Sequence, residues 1–360
     1  MDNKKIYKKY FYIFLGVQLF VLLLIALAMI FVDPYFHYHK PNPLFSYRLY
    51  EERYINDGIS RYFDFNGIIT GTSMNQNFKT SEAEALFGGS FVKEPFSGAA
   101  FLELTTNLEK TFDRNPDVNK VIWGLDYNGL RRDADFVAYN DTPEYLYDNN
   151  IFNDVNYVFN KEILYSGLFN TVMRTLQNEE GTSFDEYSSW DDGETGFEHI
   201  LLSYDREEVR QKVASGEIHY EADIEKERSY RNITQNIIPL IEAHPDIDFY
   251  LFYSPYCILY WDSLDIEGTM DMQFDAEEMT TDLLLQYDNV HLFCFYENTD
   301  LICNLDNYKN KEHYMGHINS EILKWMANGE YEITLENKDA HLQHTRDFYK
   351  NYNYDALFNK

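Results

Sequence analysis

Cysteine and basic residues are both scarce in this chain. Its 360 residues include only Cys257, Cys294 and Cys303, which is too few for a disulfide framework. The three also lack the paired Cys or Cys/His spacing of a structural zinc site. Lys and Arg total 30 against 60 Asp and Glu, a formal net charge of -30. Because that charge repels nucleic-acid phosphates and no basic stripe offsets it, we expect no nucleic-acid partner.

The chain has one long apolar run, at residues 11–32, which contains no charged residue. As a helix rising about 1.5 Å per residue, this run is long enough to cross the hydrocarbon core of a bilayer. Lysines precede it between residues 4 and 9, and Asp33 follows it. The positive-inside rule therefore predicts a cytoplasmic N-terminus and an extracellular domain on a single-pass cell-membrane protein.

A cleavable signal peptide is the alternative for the same run, because Ala26-Leu27-Ala28 resembles a cleavage site. Apolar residues continue beyond that tripeptide, which favours an uncleaved anchor. The expected divisions are a cytoplasmic tail (1–10), a transmembrane anchor (11–32), a juxtamembrane segment (33–60), an extracellular domain (61–330) and a polar C-terminal segment (331–360).

Short β-like runs alternate with helical periodicities in the outer domain. Near-continuous apolar character in several of the runs is typical of strands buried on both faces of a parallel sheet. The order predicts an α/β fold, a three-layer, doubly wound (flavodoxin-like) sheet of about five parallel strands. The runs are 65–70, 89–92, 118–125, 246–253 and 289–296.

Four helical patterns are visible between and after these runs, at 101–112, 233–241, 279–287 and 318–326. Pro239 predicts a kink in the second helix, and Gly329 predicts the end of the last one.

A large insertion, about residues 130–228, interrupts the alternation after the third strand. It begins with a helix-like piece near 155–176, and the stretch 179–198 then carries many acids and no Lys or Arg. A solvated loop is the default expectation for such a stretch. The alternative is a lid over a site, with Trp190 offering a flat face to a sugar. A calcium site lacks the EF-hand spacing.

Polar residues follow several strands at their carboxyl ends, where sites of open α/β sheets lie. Ser73 follows the first strand, Ser97-Gly98 the second, residues 126–128 the third and Ser254 the fourth. Ser73 is a candidate nucleophile, but it would serve equally well as the N-cap of a helix beginning near Met74.

A serine nucleophile needs a base within hydrogen-bond reach. His313 follows the fifth strand and is predicted to open the last helix at the same sheet edge as Ser73. His317, one helical turn further, is the second-choice base on the same face.

These blocks together resemble the SGNH (GDSL-type) hydrolases. Residues 71–74 (GTSM) resemble the first block, with Thr where the family has Asp, and Ser97-Gly98 resembles the glycine block. Residues 124–127 stand where the family has its Gly-x-Asn-Asp block. His313-Tyr314 stands where the family's last block places the catalytic histidine. With the N-terminal anchor, the chain is most similar to the Gram-positive envelope branch that includes teichoic-acid D-alanylation proteins and related O-acyl transferases and esterases.

The resemblance implies a nucleophile at Ser73, a base at His313 and an oxyanion hole that includes the backbone N–H groups of Ser73 and Gly98. Two positions depart from the family pattern. Where the family places Asp three residues before the histidine, this chain has Asn310, which leaves Asp306 as the alternative source of charge.

The second departure is Asp126, which stands at the family's oxyanion asparagine. A carboxylate there would oppose the developing negative charge, so Asn128 is the alternative donor.

The sequence therefore favours a membrane-anchored esterase or O-acyl transferase acting on acyl esters of an envelope polymer, such as a teichoic acid or surface glycan. It would need no cofactor and no metal. The alternative is a catalytically silent SGNH-like domain that binds a wall polymer through Trp190 and Trp261 or docks a multipass O-acyltransferase. A metal-dependent phosphodiesterase is disfavoured, because the His and carboxylate residues are scattered.

Overall fold

The computed structural model describes residues 3–139, 142–148, 150–190 and 193–359. The chain forms two compact units. The first unit comprises Met1–Phe63 and Asp141–Ser183, and the second comprises Asp64–Asn140 and Phe184–Lys360. The predicted insertion at 130–228 is thus divided between the two units.

The α-helices, in chain order, are α1 (Asn3–Val32), α2 (Glu52–Tyr62), α3 (Thr80–Phe87), α4 (Phe101–Arg114), α5 (Tyr127–Leu130), α6 (Glu144–Tyr147), α7 (Val155–Val158), α8 (Asn170–Leu176), α9 (Phe197–Ile200), α10 (Arg206–Ser215), α11 (Ala222–Asn232), α12 (Ile238–Ala243), α13 (Ile258–Glu267), α14 (Met270–Leu284), α15 (Thr299–Cys303), α16 (Gly316–Asn328) and α17 (Lys338–Asn351). The strands are β1 (Gly67–Gly71), β2 (Phe91–Pro95), β3 (Lys120–Leu125), β4 (Asp248–Tyr253), β5 (Val290–Cys294) and β6 (Glu332–Ile333).

The first unit is helical and contains the apolar N-terminal helix. The span Lys5–Val32 of α1 contains an 18-residue stretch with a mean hydropathy of 2.9 and is long and apolar enough to cross a membrane. Asp33 ends α1 in a left-handed conformation (φ 48°). Its carboxylate accepts hydrogen bonds from the Tyr157 hydroxyl and from the backbone N–H groups of His37, Tyr38 and His39. These bonds fix the chain as it leaves α1.

The second unit is built on a six-stranded sheet with the order β2-β1-β3-β4-β5-β6. Strands β1 to β5 are parallel, whereas β6 is antiparallel to β5. Each of the five predicted runs overlaps one of the parallel strands, but the sheet has a sixth, antiparallel strand that the sequence did not predict. β6 has two residues, which is too short to leave a periodic pattern. The strand order reverses at β1, so the carboxyl ends of β1 and β3 border a switch point.

The predicted helices are present, with one difference at the second. A π-helical segment, Ile233–Ile237, joins α11 to α12, so that Pro239 lies in the first turn of α12. Pro239 has no N–H to donate to the preceding turn, and the wider π turn accommodates its ring. Gly329 ends α16 in the left-handed conformation (φ 69°), as predicted.

The C-terminal segment, expected only to be polar, folds as β6 and α17, and α17 packs against α14. Tyr349 of α17 is fully buried, and its ring stacks on Trp261 at a centroid distance of 3.9 Å. Trp261 has no exposed surface, because every residue of α13 from Ile258 to Leu264 is buried. The surface binding role predicted for Trp261 is therefore wrong.

Candidate active site

The turn that follows β1 presents Ser73. β1 ends at Gly71, and residues Ser73–Asn75 form a 3-10 helix. Thr72 is the N-cap of that helix, and its hydroxyl accepts a hydrogen bond from the Met74 N–H at 3.4 Å. Because Thr72 fills the capping position, the Ser73 hydroxyl is not used as a cap and can bond elsewhere.

Asn75 and two glycines fix the geometry of this turn. Asn75 is fully buried, and its side-chain oxygen lies where a Cβ on Gly71 would be placed. A Cβ on Gly124 of β3 would lie 2.7 Å from the same oxygen. Gly71 also has φ 133°, a conformation that side chains disfavour. Glycine at both positions lets the turn pack closely onto the strand ends.

Ser73 and His313 form a direct hydrogen bond. The distance from Ser73 Oγ to His313 Nε2 is 2.8 Å, and Ser73 is only partly buried. His313 does not open the last helix as predicted, since α16 begins at Gly316. It lies in the preceding loop, whose two sides are joined by a bridge between Tyr308 and Tyr314.

Asn310 holds that loop and the histidine ring together. Its Oδ1 accepts hydrogen bonds from the backbone N–H groups of Glu312 (3.0 Å) and His313 (2.8 Å), and it lies 3.1 Å from His313 Nδ1. An atom that accepts from two backbone donors is the carbonyl oxygen of the amide, so His313 Nδ1 must carry the proton. His313 Nε2 is then the unprotonated nitrogen that accepts from the Ser73 hydroxyl.

Burial lowers the pKa of the His313 imidazole below its usual value of 6.5, because the charged form loses hydration. The carboxylate of Glu312 opposes this effect, and the ammonium of Lys309 adds to it. His313 is therefore neutral near pH 7, the state required of a general base.

Trp190 covers the serine–histidine pair from one side. Its indole Nε1 donates to the backbone oxygen of Ser73 at 3.1 Å, and its ring meets His313 edge-on at 5.3 Å. Asn77 Oδ1 accepts from the Trp190 backbone N–H at 2.9 Å and from the Ser189 hydroxyl at 3.2 Å. The middle of the acidic stretch is thus packed against the site at Ser189 and Trp190. A sugar-binding role for Trp190 stays a prediction.

Asp126 links three strand ends below the surface. It is almost fully buried, and its two carboxylate oxygens accept from the hydroxyls of Thr72 and Ser254. Burial raises the pKa of Asp126, and the Thr72 and Ser254 hydrogen bonds oppose that rise. Because each carboxylate oxygen accepts a hydrogen bond from a neighbouring strand end, Asp126 holds these strand ends together beneath the site. Neither of these two contacts supports the predicted place of Asp126 in the oxyanion hole.

The other predicted site residues are more exposed. Gly98 lies beyond β2 with φ 67°, and Asn128 is exposed in the first turn after β3. Asp306 is exposed, and its carboxylate faces Gly196. His317 Nε2 pairs with Asn307 at 3.2 Å. Of the two candidate bases, His313 is the one that contacts Ser73.

Sequence reasoning missed the roles of Thr72, Asn75 and the Trp190 indole N–H. The Thr72 cap could have been found, since threonine is a good N-cap and immediately precedes the serine. The contacts of Asn75 and Trp190 depend on tertiary packing and leave no local pattern.

No protein-family model matches this chain, no curated protein matches it, and no solved structure matches it.

Proposed function

We propose that this protein is a membrane-anchored extracellular serine esterase or O-acyl transferase with an SGNH-like site. The observation that carries the proposal is the 2.8 Å hydrogen bond from Ser73 Oγ to His313 Nε2, with Asn310 fixing the required tautomer. A nucleophile, a base and a residue that orients the base are the parts of a serine acyl-transfer site.

The reaction follows from this arrangement. Ser73 Oγ attacks the acyl carbonyl while His313 Nε2 takes the hydroxyl proton, and the carbonyl oxygen becomes an oxyanion. The ester C–O bond then breaks, and His313 returns the proton to the leaving alcohol. An incoming polymer hydroxyl or water repeats the sequence in reverse on the acyl-Ser73 ester. The backbone N–H groups of Ser73 and Gly98, with Asn128, are the proposed oxyanion donors.

The strand order supports a flavodoxin-like, doubly wound layering for the sheet unit. Parallel strands in the order 2-1-3-4-5 form such sheets, and their ligands bind outside the carboxyl ends at the switch point. Ser73 lies just after β1, one of the two strands that border the switch point.

The anchor helix supports a location at the cell membrane, with the site on the outer side. Lysines lie in the first turns of α1, before its apolar run, and Asp33 follows the helix, which favours a cytoplasmic N-terminus. Protease added to intact cells should digest the chain after residue 33. A domain that stays protected until the membrane is permeabilised would reverse this topology.

Charge favours one class of substrate over another. A chain with a net charge of -30 repels an anionic polymer at long range. We therefore propose a neutral or partly esterified envelope glycan as the acyl acceptor or donor, with a multipass O-acyltransferase as a partner that exports the acyl group.

Asn310 favours a second candidate function, a silent SGNH-like domain that binds a wall polymer or docks an acyltransferase. An amide orients His313 but cannot stabilise the imidazolium by charge. In serine proteases the corresponding Asp→Asn change lowers turnover by about 10⁴-fold, a loss that includes the wrong histidine tautomer, which Asn310 avoids here. A domain that had lost catalysis could keep the serine–histidine bond and lose the charge.

Labelling of the full chain in detergent with a fluorophosphonate probe separates the two functions. The wild-type chain and Ser320→Ala should label, since Ser320 is a partly buried serine of α16. Ser73→Ala should not label. A folded wild-type chain that stays unlabelled would support the silent domain, and labelling that survives in Ser73→Ala would refute the assigned nucleophile.

A further inference from the structure

A second cluster of reactive side chains lies inside the sheet unit. Glu277 of α14, Cys294 at the end of β5 and His341 of α17 are all buried. One ligand atom from each residue, a carboxylate oxygen, the sulfur and a ring nitrogen, lies within 4.8 Å of the other two. None of the three side chains takes part in the Ser73 site.

Two polar atoms of this cluster are buried without a partner among the described residues. They are Nε2 of His341 and Oε2 of Glu277, and their residues are 6% and 0% exposed. Leaving a buried polar atom unpaired costs about 1–3 kcal/mol. Two such atoms beside a thiol point to a ligand that satisfies all three.

The other ring nitrogen of His341 is already held. Its Nδ1 lies 3.1 Å from Glu297 Oε2, which leaves Nε2 as the nitrogen available to a ligand. Histidine ligands of metals almost always make this kind of second bond to a carboxylate or carbonyl, because it fixes the ring and its tautomer.

We propose that Glu277, Cys294 and His341 bind a zinc ion. Thiolate, imidazole and carboxylate are the three ligand types that zinc takes in proteins, whereas magnesium and calcium take oxygen ligands alone. The thiolate of Cys294 and the carboxylate of Glu277 together carry two negative charges. They balance the ion, so that a site buried in a low-dielectric core carries no net charge.

The geometry requires little adjustment. Ligand atoms around a tetrahedral zinc ion lie roughly 3–4 Å apart, given metal–ligand distances of about 2.0–2.3 Å. A small contraction of the cluster reaches that spacing. The Tyr296 hydroxyl borders the site, because it bonds both the Glu277 carboxylate and the Cys294 sulfur.

Burial gives the ion a structural role. The ligands join α14, β5 and α17, so zinc ties the C-terminal helix to the sheet. The sequence predicts no such site because the ligands are far apart in the chain and share no motif spacing. The proposal does not depend on catalysis by Ser73.

Metal analysis of the purified chain tests the proposal directly. The full chain is purified in detergent with a histidine-free tag and no chelator, and zinc is measured by mass spectrometry of the elements. One zinc ion per chain is expected. Cys294→Ser and His341→Gln should lose it, whereas His344→Gln, an exposed histidine of the same helix, should retain it.

Cobalt(II) substitution gives a readout that does not rely on the folding of variants. The wild-type chain should show thiolate-to-cobalt charge transfer and the intense visible bands of tetrahedral cobalt. Glu297→Gln should weaken binding by about 10- to 100-fold in chelator competition. A folded wild-type chain that takes up neither ion overturns the proposal, as does zinc retained equally by Cys294→Ser and His341→Gln.

Discussion

Asn310 Oδ1 accepts hydrogen bonds from two nitrogens of the same residue, the backbone N–H and the ring Nδ1–H of His313, at 2.8 and 3.1 Å. Because this Asn310 atom accepts from backbone N–H groups, it is the amide oxygen. The His313 Nδ1 that it contacts must therefore carry the proton. This arrangement prepares His313 to accept a proton but gives no counter-charge once the proton has moved. The His313 ring is therefore well oriented, but its protonated form is weakly stabilised.

Asn310→Asp should raise turnover of an activated acyl ester by about tenfold or more. A carboxylate keeps the bonds to the loop and adds the charge that stabilises the imidazolium. Asn310→Ala should lower turnover, because the ring loses its orientation. Steady-state kinetics on the two variants provide the measurement, and a fall in Asn310→Asp would refute this account of the position.

Asp306→Ala is the matched control for that comparison. Asp306 is exposed, and its carboxylate faces Gly196 while Asn310 occupies the His313 ring nitrogen. Turnover should stay within about twofold of wild type. A large loss would show that Asp306 supplies the missing charge.

The pH profile should report the lowered pKa of His313. Only the neutral ring accepts the Ser73 proton, so kcat/KM should rise with pH through an inflection below 6.5. Glu312→Gln should move the inflection lower still, because the Glu312 carboxylate raises the His313 pKa. An inflection above 6.5, or a shift upward in Glu312→Gln, would contradict the assignment.

Trp190→Phe and Trp190→Ala should separate two contributions of this side chain. Phe keeps an aromatic edge against His313 but loses the N–H bond to the Ser73 carbonyl, a net loss of about 1 kcal/mol, or several-fold in rate. Ala also exposes His313 to water, so its pKa should return toward 6.5. Kinetics over a pH series distinguish the two, and identical profiles would rule out the shielding role.

Gly71→Ala should destabilise the fold by more than about 3 kcal/mol, because it combines a strained φ with a clash against buried Asn75. Gly268→Ala is the control, since Gly268 has φ 69° and open space around it, and should cost about 1 kcal/mol. Denaturant unfolding measures both free energies. Equal losses would mean that the contact with Asn75 does not constrain the turn.

The features predicted from the sequence are those that depend on local pattern and on strand order. The five parallel strands read as apolar runs because they are buried on both faces, and Ser73 and His313 were predicted to meet because parallel strand ends share an edge. The two-residue β6 has no periodicity, and the acidic residues near Trp261 in the sequence gave no sign that this tryptophan is enclosed. The Trp190 bond to Ser73 joins residues that are 117 positions apart, which local patterns do not encode.

The most direct test of the central claim is to trap the acyl-enzyme. The full chain is mixed with an activated acyl ester, quenched in acid and digested, and the peptides are analysed by mass spectrometry. The account predicts one acyl group on the peptide that contains Ser73, absent from Ser73→Ala and strongly reduced in His313→Ala. An acyl group on another residue at equal occupancy in Ser73→Ala would contradict it.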